Sequence, residues 1–239
     1  MRTYSLPNTH LYPDLDYNAF CQCAYEYTGN FYDFIPQDGG RLTISFGDLP
    51  STGEVQSINI PCLRALVRGL TSGSREDLSD LARELNGTLY LLGPRDLCVP
   101  WFCARVDPVS RQLQYVNAGH EAPLLIRQDG AVERLERTGA ALGLSTRGVH
   151  LQAAIAIEAG DVLAVFSDAV SEDAVVRVVL DHPHAGTAEL TRRVSEEARQ
   201  PAGRTWMGED RTFAAVRVLG ARRHPLVEEC AESLVMCAA

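Results

Sequence analysis

The order of strand-like and helix-like segments constrains the fold of this chain more than any other feature. Alternating apolar residues indicate strands, and apolar residues three and four positions apart indicate helices. The predicted strands cover residues 17–27, 31–36, 41–46, 97–106, 113–117, 123–128, 132–135, 149–157, 162–166 and 212–219. The predicted helices cover residues 55–70, 78–92 and 189–198. Because strands and helices are grouped rather than alternating, the order favours an α+β fold with antiparallel sheets over a repeated βαβ fold.

Local signals set some of the boundaries of these segments. The turn at 37–40 contains Asp-Gly between two apolar runs, which predicts a β-hairpin. Pro61 lies within the first predicted helix and predicts a kink or a late start there. Residues 74–77 resemble a capping box before the second helix. Residues 1–16 contain proline and asparagine at short intervals and are predicted to form an irregular lead-in.

Composition and charge exclude several classes of function. The 239 residues carry a formal net charge of −9 and 22 basic residues, all of them arginine. Without lysine there is no P-loop lysine, no lysine Schiff base and no kinase strand lysine. The acidic balance gives no electrostatic reason to bind nucleic acid or an anionic membrane. No apolar run of membrane-spanning length and no signal-peptide pattern is found, so we expect a cytoplasmic protein.

The seven cysteines are scattered along the chain and form no C-x-x-C pair. Reduced thiols in a cytoplasmic protein are the favoured interpretation, with a zinc site or disulfides as the alternatives. Residues 221–239 have an apolar stripe that predicts a short helical tail. That tail is expected to pack on its own domain, and a dimer contact is the alternative.

Acidic residues stand at the ends of three predicted strands. Asp48 and Asp168 each follow a strand directly, and Glu209 and Asp210 precede the last strand. Carboxylates at strand ends can converge at one rim of a sheet structure, where hard oxygen ligands suit Mg²⁺ or Mn²⁺. Each residue taken alone is better explained as a turn or cap residue. Their joint placement at the ends of matching apolar strands leaves the two interpretations balanced.

Six motifs resemble, in order, the PPM (type 2C) metal-dependent serine/threonine phosphatases of the bacterial SpoIIE/RsbU branch. The resemblance runs over residues 17–219. The motifs are GNFYDF at 29–34, GDLPSTG at 47–53, YVNAGHEAPLL at 115–125, the glycine–leucine segment at 139–144, GDVL through SDAVSE at 160–172, and EDRT at 209–212. The resemblance implies a two-sheet antiparallel β-sandwich flanked by helices over residues 17–220.

The same resemblance implies a site at one end of the sandwich that holds two Mn²⁺ or Mg²⁺ ions. Asp48 is expected to bridge the ions, with the carbonyl oxygen of Leu49 on the second ion. Asp168 and Glu209 are expected to complete the shell of the first ion. Asn30 stands where the family has an aspartate on the second ion. Asp48 and Asp168 are the expected catalytic residues, and His120 is expected to be structural rather than catalytic.

The implied activity is hydrolysis of phosphoserine or phosphothreonine on a phosphorylated regulatory protein, similar to an anti-sigma-factor antagonist, in stress-response signalling. Asn30 removes one anionic ligand, so the second metal site is expected to be weakened. Glu209 keeps the charge of the family's aspartate but reaches one methylene further, and together the two departures are expected to impair the activity. The alternative is a degenerate pseudophosphatase that acts as a protein-binding regulatory module. The sequence leaves the oligomeric state open.

Overall fold

The computed structural model describes residues 2–5, 14–23, 28–49, 54–72, 77–93, 97–197 and 210–220, and these residues form eleven strands and four α-helices. The strands are β1 (Arg2–Ser5), β2 (Leu15–Cys23), β3 (Asn30–Pro36), β4 (Leu42–Asp48), β5 (Trp101–Asp107), β6 (Gln112–Ala118), β7 (Leu124–Ile126), β8 (Val132–Arg134), β9 (Ala153–Ala156), β10 (Val162–Phe166) and β11 (Arg211–Val218). The helices are α1 (Glu54–Ser72), α2 (Leu78–Leu92), α3 (Glu172–Asp181) and α4 (Thr187–Glu197). None of the helices in the described ranges is long and apolar enough to cross a membrane.

The strands form two antiparallel sheets that pack face to face. One sheet has the order β1-β2-β11-β10-β7-β8 and the other has the order β3-β4-β5-β6-β9. Every strand pair in both sheets is antiparallel. The predicted α+β sandwich is therefore confirmed.

Side-chain alternation explains why the sheets have two buried faces. In β10, Leu163 and Val165 enter the core between the sheets, whereas Val162 and Ala164 join the layer that contains α3 and α4. The other sheet packs its outer face against α1 and α2. A strand that is buried on both faces has a continuous run of apolar residues. Strand β10 is of this kind, because all five of its residues are buried.

Several segment boundaries differ from the sequence predictions. Residues 2–5 form the edge strand β1, so the prediction of an irregular lead-in over 1–16 is wrong there. Helix α1 runs from Glu54 with Pro61 inside it, so the late start is wrong. The side chain of Asp77, rather than that of Ser74, caps α2 by accepting a hydrogen bond from the Ser79 amide. Helix α3 was not predicted, and the tail at 221–239 lies outside the described residues.

Candidate metal centre

The hairpin β3–β4 brings two of the predicted site residues together. Asn30 begins β3 and Asp48 ends β4, and the two residues are direct partners in the strand register. The Leu49 amide donates to the Gly29 carbonyl at 2.9 Å, which fixes the chain beyond Asp48. Gly47 is required here because a Cβ atom would lie 2.7 Å from the Phe31 ring and 2.8 Å from the Pro100 carbonyl oxygen. The hairpin therefore holds Asp48 on rigid backbone.

The end of β10 is tied to the start of β11 through Ser167. The Ser167 amide donates to the Thr212 carbonyl at 2.9 Å, and its hydroxyl oxygen accepts from the Thr212 amide at 3.1 Å. The same hydroxyl donates to the Asp210 carbonyl at 3.3 Å. Asp168 follows directly and its side chain is exposed to solvent. The six-stranded sheet thus presents Asp168 and Asp210 next to each other at one end.

Asp210 joins this end of the six-stranded sheet to the β3–β4 hairpin of the other sheet. Its Oδ2 atom accepts a hydrogen bond from the Gly29 amide at 3.1 Å. Its carbonyl oxygen accepts from Nδ2 of Asn30 at 3.3 Å. Both sheets therefore contribute acidic or amide side chains to the same end of the sandwich.

The electrostatics of Asp48 show that these carboxylates are close enough to repel one another. Partial burial raises the pKa of Asp48 above its ordinary value, and the negative charges of Asp168 and Asp210 raise it further. Among the described residues, neither Asp48 nor Asp168 has an arginine partner. A divalent cation would relieve this repulsion, so the chemistry of the donor set fits a hard metal ion.

The predicted ligands are only partly within the described structure. Asn30, Asp48, Leu49 and Asp168 all lie at this end of the sandwich, whereas Glu209 lies outside the described residues. Within the described ranges, no three histidine, cysteine, aspartate or glutamate side chains form a group that could hold a metal by themselves. The expected set also depends on the Leu49 carbonyl and the Asn30 amide, which are not among these residue types, and on Glu209, which lies outside the described residues.

Asp210 is the residue that the predicted ligand set left out. It stands beside Glu209 in the motif at 209–212, so the signal was present in the sequence. The motif could not show that the Asp210 side chain would bind the Gly29 amide, 181 positions away in the chain. That contact makes Asp210 a bridge between the sheets as well as a source of negative charge.

His120 lies beside this end and has the local bonds expected of a structural residue. Its backbone amide donates to Oδ1 of Asn117 at 2.9 Å, and Nδ1 donates to the Glu121 carbonyl at 2.7 Å. Its ring packs edge-on against Phe46 with the centroids 5.2 Å apart. Burial lowers the pKa of His120, which favours the neutral ring. The preceding Gly119 has a φ of 74°, which permits the bend.

A cleft of about 720 Å³ lies at the opposite end of the sandwich. Its charged lining includes Arg127, Glu133 and Asp161. Arg127 pairs with both acids, at 2.5 Å to Glu133 and 2.8 Å to Asp161. Arg127 therefore already pairs with two acids of this cleft, whereas Asp48 and Asp168 have no arginine partner among the described residues. For this reason we place the candidate site at the other end despite the size of this cleft.

The fold is that of PP2C phosphatase domains, as solved structures show. The RsbU and RsbW domains of a Mycobacterium tuberculosis protein align with a TM-score of 0.75 and 22% identity over 91% of this chain and 63% of that one. The PP2C phosphatase domain of SpoIIE from Bacillus subtilis, with a fragment of its regulatory domain, aligns with a TM-score of 0.72 and 15% identity over 87% of this chain and 64% of that one. RsbX in complex with magnesium aligns with a TM-score of 0.69 and 12% identity over 91% of this chain and 100% of that one.

A sequence model of the Stage II sporulation protein E (SpoIIE) family matches residues 38–219. The chain therefore belongs to the SpoIIE family, which confirms the resemblance to the PPM phosphatases of the SpoIIE/RsbU branch. The phosphoserine phosphatase RsbU of Bacillus subtilis is 25% identical over 71% of this chain. Protein IcfG of a Synechocystis strain is 24% identical over 67% of this chain. This chain covers 50% of the length of RsbU and 30% of that of IcfG.

Proposed function

We propose that this chain is a divalent-metal-dependent protein phosphatase that hydrolyses phosphoserine or phosphothreonine on a regulatory protein. The observation that carries the proposal is the position of Asp48 at the end of the sandwich that also holds Asp168 and Asp210, where partial burial and then the negative charges of those two residues raise its pKa. Carboxylates that repel one another destabilise a fold unless a ligand balances their charge. Family membership supports the choice of a metal ion as that ligand.

The residues of this end divide into distinct roles under the proposal. The β3–β4 hairpin holds Asp48 on rigid backbone, where it would be a ligand of the ions, and Asp168 is exposed to the solvent from which a phosphate would approach. Glu209 would add a third carboxylate to Asp48 and Asp168, and the Leu49 carbonyl would be a further oxygen ligand. Mn²⁺ or Mg²⁺, when bound there, supplies a nucleophilic water and neutralises the phosphate. Asp210 positions the Gly29–Asn30 segment rather than serving as an additional ligand.

The proposed class of substrate is based on similarity to known proteins. RsbU is named as a phosphoserine phosphatase, and another similar solved structure comes from the bacterial stressosome. We therefore propose a phosphorylated protein similar to an anti-sigma-factor antagonist as the partner, with a role in stress-response signalling. The net charge of −9 agrees with a protein partner rather than a nucleic acid.

The test is a metal titration of turnover on p-nitrophenyl phosphate and on a phosphoserine peptide, after treatment with a chelator. We expect activity to appear with Mn²⁺ or Mg²⁺ and to be lost in Asp48→Asn. Asp38→Asn is the matched control, because Asp38 is an exposed residue at the opposite end of the same hairpin. An absence of metal-dependent turnover across the whole titration contradicts the enzyme proposal.

The position of Asn30 favours a second candidate, a pseudophosphatase that binds a regulatory protein without turnover. Its Nδ2 atom is already engaged with the Asp210 carbonyl, so only the neutral amide oxygen is left to ligate a cation. Calorimetry with Mn²⁺ separates the candidates. Two binding events support an intact centre, one supports a half-occupied centre with a weak second site, and none supports the pseudophosphatase.

A further inference from the structure

Cys21 and Cys23 place two thiols side by side in β2. Residues two positions apart in a strand project to the same face. Both side chains are buried in the core between the sheets, and their Sγ atoms lie 4.0 Å apart. Both cysteines are free thiols. The proposed phosphatase chemistry does not use them.

The Cys21 thiol is connected to the strands that carry the candidate metal centre. The Thr212 hydroxyl donates to Cys21 Sγ at 3.2 Å, and Thr212 is the register partner of Cys21 in β11. The Thr28 hydroxyl lies 3.7 Å from the same sulfur and accepts a hydrogen bond from the Asn30 amide at 3.0 Å. The thiol pair therefore lies next to the first residues of β11 and β3.

We propose that Cys21 and Cys23 are a redox-sensitive dithiol, which a peroxide oxidises to an intrastrand disulfide that displaces Asp210 and lowers turnover. Formation of the disulfide is independent of the proposed function. Its effect on turnover rests on that function, so the two parts are measured separately.

The oxidation balances with hydrogen peroxide as the two-electron oxidant. The Cys21 thiolate attacks one peroxide oxygen, the O–O bond breaks, and Cys21 becomes a sulfenic acid, while the departing hydroxide takes up the proton that the thiol lost and leaves as water. The Cys23 sulfur then attacks Cys21 Sγ, forming the S–S bond and releasing a second water. A hydrogen bond from the Cys23 thiol lowers the pKa of Cys21, which favours Cys21 as the attacking thiolate.

The geometry of the strand explains why the disulfide would reach the site. Two residues of strand span about 6.6 Å, near the upper end of the Cα separations that disulfides allow. The sulfurs must close from 4.0 Å to about 2 Å, so β2 has to bend at Gln22. Gln22 is the register partner of Arg211, the residue after Asp210, and its side-chain Nε2 donates to Ser195 Oγ at 2.5 Å. A bend at Gln22 therefore moves the start of β11.

The experiment treats the full chain with hydrogen peroxide, alkylates the remaining thiols and digests with trypsin. Because the chain has no lysine, cleavage after Arg2 and Arg41 releases residues 3–41, which contain Cys21 and Cys23 and no other cysteine. We expect this peptide to lose two hydrogen atoms, to escape alkylation and to recover both thiols after reduction. Peptides in which Cys21 and Cys23 stay alkylated, are separately oxidised to sulfinic acids, or pair with other cysteines overturn the proposal.

Two variants sharpen this test. Cys23→Ser is expected to abolish the disulfide and leave Cys21 as a sulfenic acid. Cys62→Ser removes an exposed thiol from α1 and is expected to form the disulfide normally. A Cys62→Ser chain that no longer forms it would overturn the assignment.

The effect on the site is measured by turnover and by Mn²⁺ calorimetry before and after oxidation. We expect a loss of turnover of up to about 100-fold, the scale of a misplacement near 1 Å, with recovery after reduction. Unchanged turnover and unchanged Mn²⁺ binding in the disulfide form would overturn the coupling. If the reduced chain shows no turnover at all, the proposed function fails. The peptide map still shows whether the disulfide forms. Mn²⁺ binding before and after oxidation then shows whether the disulfide affects the site.

Discussion

The two ends of β10 each carry an aspartate. Among the described residues, the aspartate before the strand is paired with an arginine and the aspartate after it is not. Asp161, just before the strand, accepts hydrogen bonds from Arg127 at 2.8 Å, from the Glu158 amide at 2.9 Å and from the Gln128 amide at 3.2 Å. Asp168, just after the strand, is exposed and has no arginine partner among the described residues. Its negative charge adds to the effect of burial in raising the pKa of Asp48.

This difference separates carboxylates that build the fold from carboxylates that are available to a ligand. Asp33 belongs to the first kind, because its buried carboxylate binds Arg68 at 2.5 Å and Arg64 at 3.3 Å and so anchors α1 to the sheet. Neutralising a paired acid should cost stability and spare the chemistry. Neutralising an acid that has no arginine partner should lower turnover without reducing the free energy of unfolding.

The largest expected effect is the loss of turnover in Asp168→Asn. Removing one carboxylate from a hard-metal site costs several kcal/mol, so we expect turnover to fall more than about 100-fold. The free energy of unfolding without metal should stay the same or rise, because repulsion with Asp48 is lost. Kinetics and chelator-treated denaturant melts measure the two effects, and near wild-type turnover would remove Asp168 from the site.

The second prediction is that Asp161→Asn destabilises the fold at the other end of the same strand. It removes one of the two acids that pair with Arg127 while Glu133 remains, so we expect a loss of about 2 kcal/mol, the scale of a hydrogen bond to a charged group. Turnover at a temperature where the variant is folded should stay within about threefold of wild type, because the change lies outside the site. A denaturant melt of the variant that matches wild type would contradict the contrast between the two ends.

The third prediction concerns Asn30→Asp, which restores the carboxylate that the family has at this position. A new anionic ligand should raise Mn²⁺ affinity about tenfold, equivalent to about 1.4 kcal/mol. Calorimetry is the measurement, and Asp38→Asn again serves as the control. If the affinity does not change, Asn30 is not a ligand of the second ion.

The smallest expected effect is a pH dependence of stability without metal. The raised pKa of Asp48 means that the folded chain binds this proton more tightly than the unfolded chain, whose ordinary value is 3.8. The stabilising contribution is therefore complete below that value and is lost as pH rises through the raised pKa.

The matching measurement compares wild type with Asp48→Asn in chelator. Wild type should lose stability relative to the variant as pH rises through the raised pKa, because only wild type has this carboxylate to ionise. Added Mn²⁺ should reverse the difference at neutral pH, since a cation favours the ionised carboxylate. Parallel pH profiles without metal would show that the Asp48 carboxylate is not repelled.

Parts of the fold were predictable from local patterns and parts were not. The hairpin at 37–40 and the buried strand β10 were predicted correctly, because turn chemistry and continuous apolar runs are local signals. Helix α3 was missed, since it has only 10 residues and its buried Val175, Val178 and Val179 are as typical of a strand. The sequence predicted a capping box only over 74–77, and the folded backbone selects Asp77 as the cap of α2.

The sequence by itself determined the family, the order of strands and helices, and which acids stand at strand ends, because these depend on neighbouring residues and on spacing along the chain. Only the tertiary structure decided which acids stay unpaired. Arg127 neutralises Asp161 from 34 positions away, and Asp210 joins Gly29 from 181 positions away. Such charge balance depends on contacts that form when the two sheets pack, so the distinction between a structural and an available carboxylate exists only in the folded chain.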